Sequence, residues 1–150
     1  MVITRVATEG AMEAAWAVRK EVFVDEQNVP LEEELDDLDH APTTIHILAE
    51  DAEGPAGTGR VLLDEPGRVH LGRICVAKRV RGTGLGKKIV LALEEAAIES
   101  YAQDGRLSIA LSAQKNAQAF YESLGYEFID SREYLDAGIW HRAMAKTSGG

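Results

Sequence analysis

Apolar positions along the chain change period several times, and each change marks an element. Val2, Ile3 and Val6 predict a short opening strand. Behind Thr8, placed to cap a helix, Met12, Ala15, Trp16, Arg19 and Phe23 recur at helical spacing. Residues 25 to 44 lose periodicity, turn acidic and carry Pro30 and Pro42, which reads as a long loop with room for one short helical turn. Two apolar runs, 45 to 50 and 57 to 63, flank a turn-rich DAEGPAG and predict an antiparallel hairpin, with a further strand at 71 to 77. Ile89, Val90, Leu93, Ala96 and Ala97 then fall on one helical face, inside a stretch from 85 to 100 rich in Ala, Glu and Leu. A strand at 107 to 111, a short helix at 118 to 124 stopped by Gly125, and strands at 126 to 129 and 138 to 145 complete the pattern. The order β-α-β-β-β-α-β-α-β-β predicts an α/β fold of the α+β type, a mixed sheet with helices on its faces.

No repeat or linker interrupts this order, so the 150 residues are read as one domain over 1 to 146, with 147 to 150 as a frayed tail. Apolar residues at 45% and charged residues at 27% suit a globule with a real core. The net charge of −9 sets the surface against polyanions, so nucleic acid is not an expected partner, while an amine-bearing substrate is favoured. No apolar run approaches spanning length, which argues against a membrane partner. A lone cysteine, Cys75, excludes an internal disulfide, and with no secretory leader pattern the expected location is the cytoplasm.

The segment RICVAKRVRGTGLGKK joins a β-branched strand to the best-defined helix through Gly82, Gly84 and Gly86. Glycines let the backbone approach an anion, and the unpaired N–H groups of a first helical turn point at it. Arg79, Arg81, Lys87 and Lys88 add positive charge locally in an acidic chain. A phosphate or pyrophosphate is the guest this chemistry selects. A P-loop is excluded because Arg81 and Lys88 stand where it needs Gly and Ser/Thr; a dinucleotide fingerprint is excluded because Lys87 or Ile89 replaces its third glycine.

The run Arg79-Val80-Arg81-Gly82-Thr83-Gly84 resembles the Arg/Gln-x-x-Gly-x-Gly/Ala motif of the GNAT N-acetyltransferases, and AFYESLGYEF resembles their second motif. EVFVDEQNVP, LSAQKNAQAFYESLGY and DAGIWH are further similar to the ElaA/YjcF-like group. The resemblance implies a GNAT-like acyl-CoA N-acyltransferase fold, acetyl-CoA as co-substrate without a metal, an amine-bearing acceptor, and room for a homodimer. It implies that the backbone of Ile74 and Val76 binds the pantetheine arm and acetyl carbonyl. Arg79, Arg81, Gly82, Thr83, Gly84, Leu85, Gly86 and Lys87 then hold the pyrophosphate. Tyr121 would be the general acid and a coenzyme contact; Gln114 stands where the family often has a coenzyme-binding Asn, with Asn116 two residues on.

A protonated amine cannot attack, so a base or a desolvating site is needed. Glu26, His46, His70 and His141 are candidates, and the match of EVFVDEQ and GIWH to the group favours Glu26 and His141. Cys75 is read as core, and Asp36, Asp37, Asp39 and His40 as solvated groups in a polar loop rather than a metal site. Trp16 and Phe23 suit the apolar face of the first helix, while Trp140 either lines the acceptor cleft or packs. A non-catalytic acyl-CoA sensor is the alternative to an enzyme: it would keep the glycine loop and dispense with the acid.

Overall fold

The computed structural model describes residues 1 to 148. Strand β1 (Val2–Arg5) leads into helix α1 (Glu9–Arg19), whose first turn is capped by Thr8 Oγ1 accepting from Ala11 N at 3.1 Å. The helix does not stop at Arg19. It widens into a π-helical stretch, Lys20–Glu26, in which Gln27 N reaches back five residues to Val22 O at 3.1 Å, and Asn28, at φ 60°, ends it.

The sheet runs β1, β2 (Ile45–Asp51), β3 (Gly54–Glu65), β4 (Arg68–Val76), β5 (Leu107–Gln114), β8 (Ile139–Ser148) and β6 (Glu127–Phe128), with β7 (Tyr134–Asp136) paired to β8. Among the described strands only β4 and β5 run parallel, joined by the crossover helix α3 (Leu85–Tyr101). Alternation sorts the side chains by face. Ile45, Ile47, Val61, Val69, Leu71 and Ile109 meet Leu85, Ile89 and Leu93 of α3 in the main core, and α4 (Gln118–Ser123) adds Tyr121 to it. On the opposite face Leu48 packs on Met12 and Ala15 of α1, and Cys75 packs on Val18 and Val22. Helix α3 lies directly on strand backbone at Gly57 and Gly59, where an added Cβ would stand 2.5 Å from Ile89 Cδ1 and 2.6 Å from Leu93 Cδ1.

The expected order of elements holds, with three differences. The sequence reading lacked β7, a three-residue polar strand without alternation. Residues 25 to 44 hold a helical turn, α2 (Leu31–Glu34), and a 3-10 turn at Asp37–His40. Asp37 and His40 are exposed as expected, but Asp39 is buried and Asp36 half-buried, and Glu34 is buried with them, because Arg19 donates to Glu34 Oε1 (2.6 Å) and Asp39 Oδ1 (2.7 Å) while Arg60 donates to Asp39 (2.8 Å) and in a fork to Asp36 (2.8 and 2.9 Å). Thr147 and Ser148, expected in a frayed tail, pair with Ser108 and Leu107, since β5 offers backbone partners that far; Gly149 and Gly150 lie outside the described residues.

Candidate active site

Pairing between β4 and β5 ends at Leu71 opposite Leu111, although β4 continues to Val76 and β5 to Gln114. The strands part there. On its other side β4 bulges against β3: Arg60 faces Gly72 and Thr58 faces Cys75, so Arg73 and Ile74 have no partner in the register, and Arg73 sits at φ 52°. Ala77 N donates to Ala56 O at 2.8 Å, which makes Val76 opposite Gly57 a non-hydrogen-bonded pair whose backbone groups face β5. The parting thus leaves Ile74 and Val76 without a β5 partner, the Val76 carbonyl taking a side chain, that of Arg81, instead.

A cavity of about 810 Å³ fills this gap and reaches both faces of the sheet. It brings together Glu26, Ile74, Val76, Arg81, Gln114, Tyr121 and His141 from the sequence-predicted set, along with His70. Arg79, Gly82, Thr83, Gly84, Leu85, Gly86, Lys87 and His46 are not part of its lining. His46 is buried beside the loop, its Nε2 donating to the Asp39 carbonyl at 3.1 Å.

The glycine loop sits at the end of β4. Gly82 and Gly84 take φ 79° and 83°, with nothing within 4 Å of where a Cβ would be, so the backbone surface is bare. No side chain caps α3, and Leu85, Gly86 and Lys87 present first-turn N–H groups. Thr83 Oγ1 donates inward to Val80 O at 2.6 Å and fixes the turn. Arg79 points away: Nη1 and Nη2 reach Asp51 at 2.7 and 2.9 Å, Glu53 at 2.9 Å and the Gly54 and Pro55 carbonyls, pinning the loop to the β2–β3 turn. Arg81 instead folds over the cavity mouth, forked onto Glu26 at 2.7 and 2.8 Å with Nε donating to Val76 O at 3.2 Å. A second rung crosses beside it, Gln27 to Gln114 at 2.9 Å. The rungs start from the last residue of the π-helical stretch, Glu26, and from Gln27, which caps it.

Tyr121 is buried against Phe120 and Tyr126, and burial pushes its phenol up to about 12. His141 is also buried: Nδ1–H donates to the Ile139 carbonyl at 2.7 Å, which leaves Nε2 with its lone pair, and Tyr134 stacks on the ring at 6.0 Å. The Arg81 hydrogen bonds, outweighing desolvation, hold the Glu26 carboxyl below its ordinary value. Cys75 is buried and its thiol is pushed up by desolvation, so it stays protonated. Gln27, Gly72, Arg73, Ser112 and Asp136 also line the cavity and escaped the sequence reading. Only Gln27, adjacent to Glu26 in EVFVDEQ, carried a signal that would have found it.

Residues 6 to 148 match the sequence profile of the acetyltransferase (GNAT) domain. The uncharacterized N-acetyltransferase YjcF of Bacillus subtilis (strain 168) is 44% identical over 138 residues, 92% of this chain and 94% of that protein. Among solved structures, an acyl-CoA N-acyltransferase from Pseudomonas aeruginosa superposes with a TM-score of 0.84 at 29% identity, covering 97% of this chain and 98% of that one. Escherichia coli ElaA gives a TM-score of 0.84 at 25% identity over the same shares.

Proposed function

Because the chain belongs to the GNAT acetyltransferases, we propose that it moves an acetyl group directly from acetyl-coenzyme A to a primary amine, without a covalent enzyme intermediate or a metal. The observation carrying this reading is that the unpaired backbone of β4, Tyr121 and His141 share one cavity at the end of a bare anion-binding loop. The thioester supplies an activated acetyl carbon; the chain supplies everything around it.

The bare Gly82 and Gly84 backbone and the N–H groups of Leu85, Gly86 and Lys87 suit a pyrophosphate. The open edge of Ile74 and Val76 suits an amide-bearing arm, and an N–H there can stabilise a developing oxyanion, such donors contributing roughly 3 kcal/mol. His141 Nε2 is the better placed proton acceptor, since the Glu26 carboxylate is committed to Arg81. Glu26 then positions Arg81 instead of acting as base, and Gln114 contacts the coenzyme by exchanging its Gln27 partner. Arg79 contributes by holding the loop in place. Tyr121 stays protonated at neutral pH. A phenol held that high hydrogen-bonds the departing sulfur more readily than it surrenders its proton, stabilising the thiolate as the bond breaks.

Thiol release from acetyl-coenzyme A, followed across polyamines, amino acids, aminoglycosides and lysine peptides, tests the reading. Turnover with at least one amine is expected, and Tyr121→Phe lowers kcat by about 10²-fold or more while coenzyme affinity persists. Coenzyme binding with no turnover on the whole panel would replace transfer by acyl-coenzyme A sensing.

A further inference from the structure

The cavity lining carries three arginines, Arg60, Arg73 and Arg81, against two carboxylates, Glu26 and Asp136, in a chain whose net charge is −9. Arg81 stands at the glycine-loop end. Arg60 and Arg73 stand beyond Ile74, away from that loop; on the acetyl-transfer reading this is the end left for the acceptor.

These two guanidinium groups belong to a cluster in which Arg19, Arg60 and Arg73 share Glu34, Asp36 and Asp39, and they are unequally served. Arg19 and Arg60 take contacts of 2.6 to 2.9 Å. Arg73 reaches the same carboxylates only at 3.3 and 3.4 Å, and the Glu33 carbonyl at 3.2 Å, because each acid is already claimed. Its Nε lies near Glu34 but is not aligned to donate, and Arg60 Nε has no acceptor among the described residues either, although both atoms are buried. A buried donor without a partner is costly, and a guanidinium with long contacts is poorly neutralised. The β4 bulge holds Arg73 at a positive φ that a non-glycine residue rarely adopts, on the cavity wall and a quarter exposed, with a side-chain accessibility of 26%.

We infer that Arg73, backed by Arg60, is a subsite for a carboxylate on the acceptor itself, so that the acceptor is a small amine of the amino-acid type. The inference rests on the acetyl-transfer reading for the cavity's use. A planar fork pairs with a carboxylate in two parallel hydrogen bonds. A phosphate dianion fits less well, since Asp36 and Glu34 crowd the same guanidinium. A polyamine has nothing to offer it.

The test compares free amino acids with their C-terminal amides, pair by pair. Binding to the protein saturated with coenzyme A is measured by calorimetry, and turnover with acetyl-coenzyme A by thiol release. At least one free acid binds tenfold or more tightly than its amide, and Arg73→Gly, which also suits the positive φ, shrinks that ratio below twofold. The melting curve of the variant verifies that it is folded. Amides binding as tightly as acids, or no free acid binding at all, overturns the inference. A carboxylate preference in binding without turnover on any amine keeps the subsite and overturns acetyl transfer. Turnover without that preference does the reverse.

Discussion

Asp39 accepts hydrogen bonds from Trp16, Arg19 and Arg60, while His46 donates to its backbone carbonyl. Burial alone would raise the Asp39 carboxyl, but the Arg19 hydrogen bond and charge, with Trp16 and Arg60, outweigh it and hold it below the ordinary 3.8; desolvation likewise holds His46 below 6.5. Both groups refuse protons that the unfolded chain accepts, so stability declines as pH falls. The His46 part is complete above 6.5 and lost below it; the Asp39 part is lost only below 3.8. The thermal midpoint should therefore drop between pH 7 and 5, and His46→Gln should flatten that decline while leaving the one below pH 4 in place. The acidic run LEEELDDLDH reads as solvated throughout because the partners that bury Glu34 and Asp39 within it, Arg19 and Arg60, lie on a helix face and in a strand far off in sequence. Arg73 was illegible for a related reason: within RICVA-type strand pattern nothing announces a bulge or a positive φ.

Elements with a strong period were legible. The strands of the central sheet, α1, α3 and α4 follow from apolar spacing, and the glycine loop from its composition. Lost were the features that depend on how elements meet. The parting of β4 from β5 is a property of two strands together, and the widening after Arg19 preserves the apolar positions Val22 and Phe23, so it leaves the hydrophobic pattern intact. The close seating of α3 on β3 is equally silent in sequence. Gly57→Val should test it: the new side chain meets Ile89 and, at 3.1 Å, the Cys75 carbonyl, which cannot rotate away. Chemical denaturation should show a loss of about 2 kcal/mol, typical of overpacking.

For the molecule as a whole, the cavity divides the sheet into an arm of β1 to β4 and an arm of β5 to β8, joined by α3, a short parallel ladder and the Gln27–Gln114 rung. A coenzyme bound in the cavity as proposed would stabilise the folded state by mass action. At a hundredfold excess over Kd the gain is about 2.7 kcal/mol, and the thermal midpoint should rise by roughly 5 to 10 °C. On the proposed contacts, loop and strand edge, coenzyme lacking acetyl should serve; no rise at saturating concentration would mean that the folded chain does not bind it. The π-helical stretch gives the molecule one further property. A π turn is an α-helix with one residue to spare, and removing that residue, for example Asp25, lets Lys20 to Gln27 rewind as ordinary helix with α1 undisturbed. The bond from Gln27 N to Val22 O, five residues long in the π turn, then becomes the four-residue bond of an α turn, so Gln27 keeps its phase. The packing of Val18 and Val22 survives, and only the residues inside the widened turn change the direction in which they point. The chain therefore carries, beside its cavity, one place where a whole codon can be lost while the elements on either side keep their register.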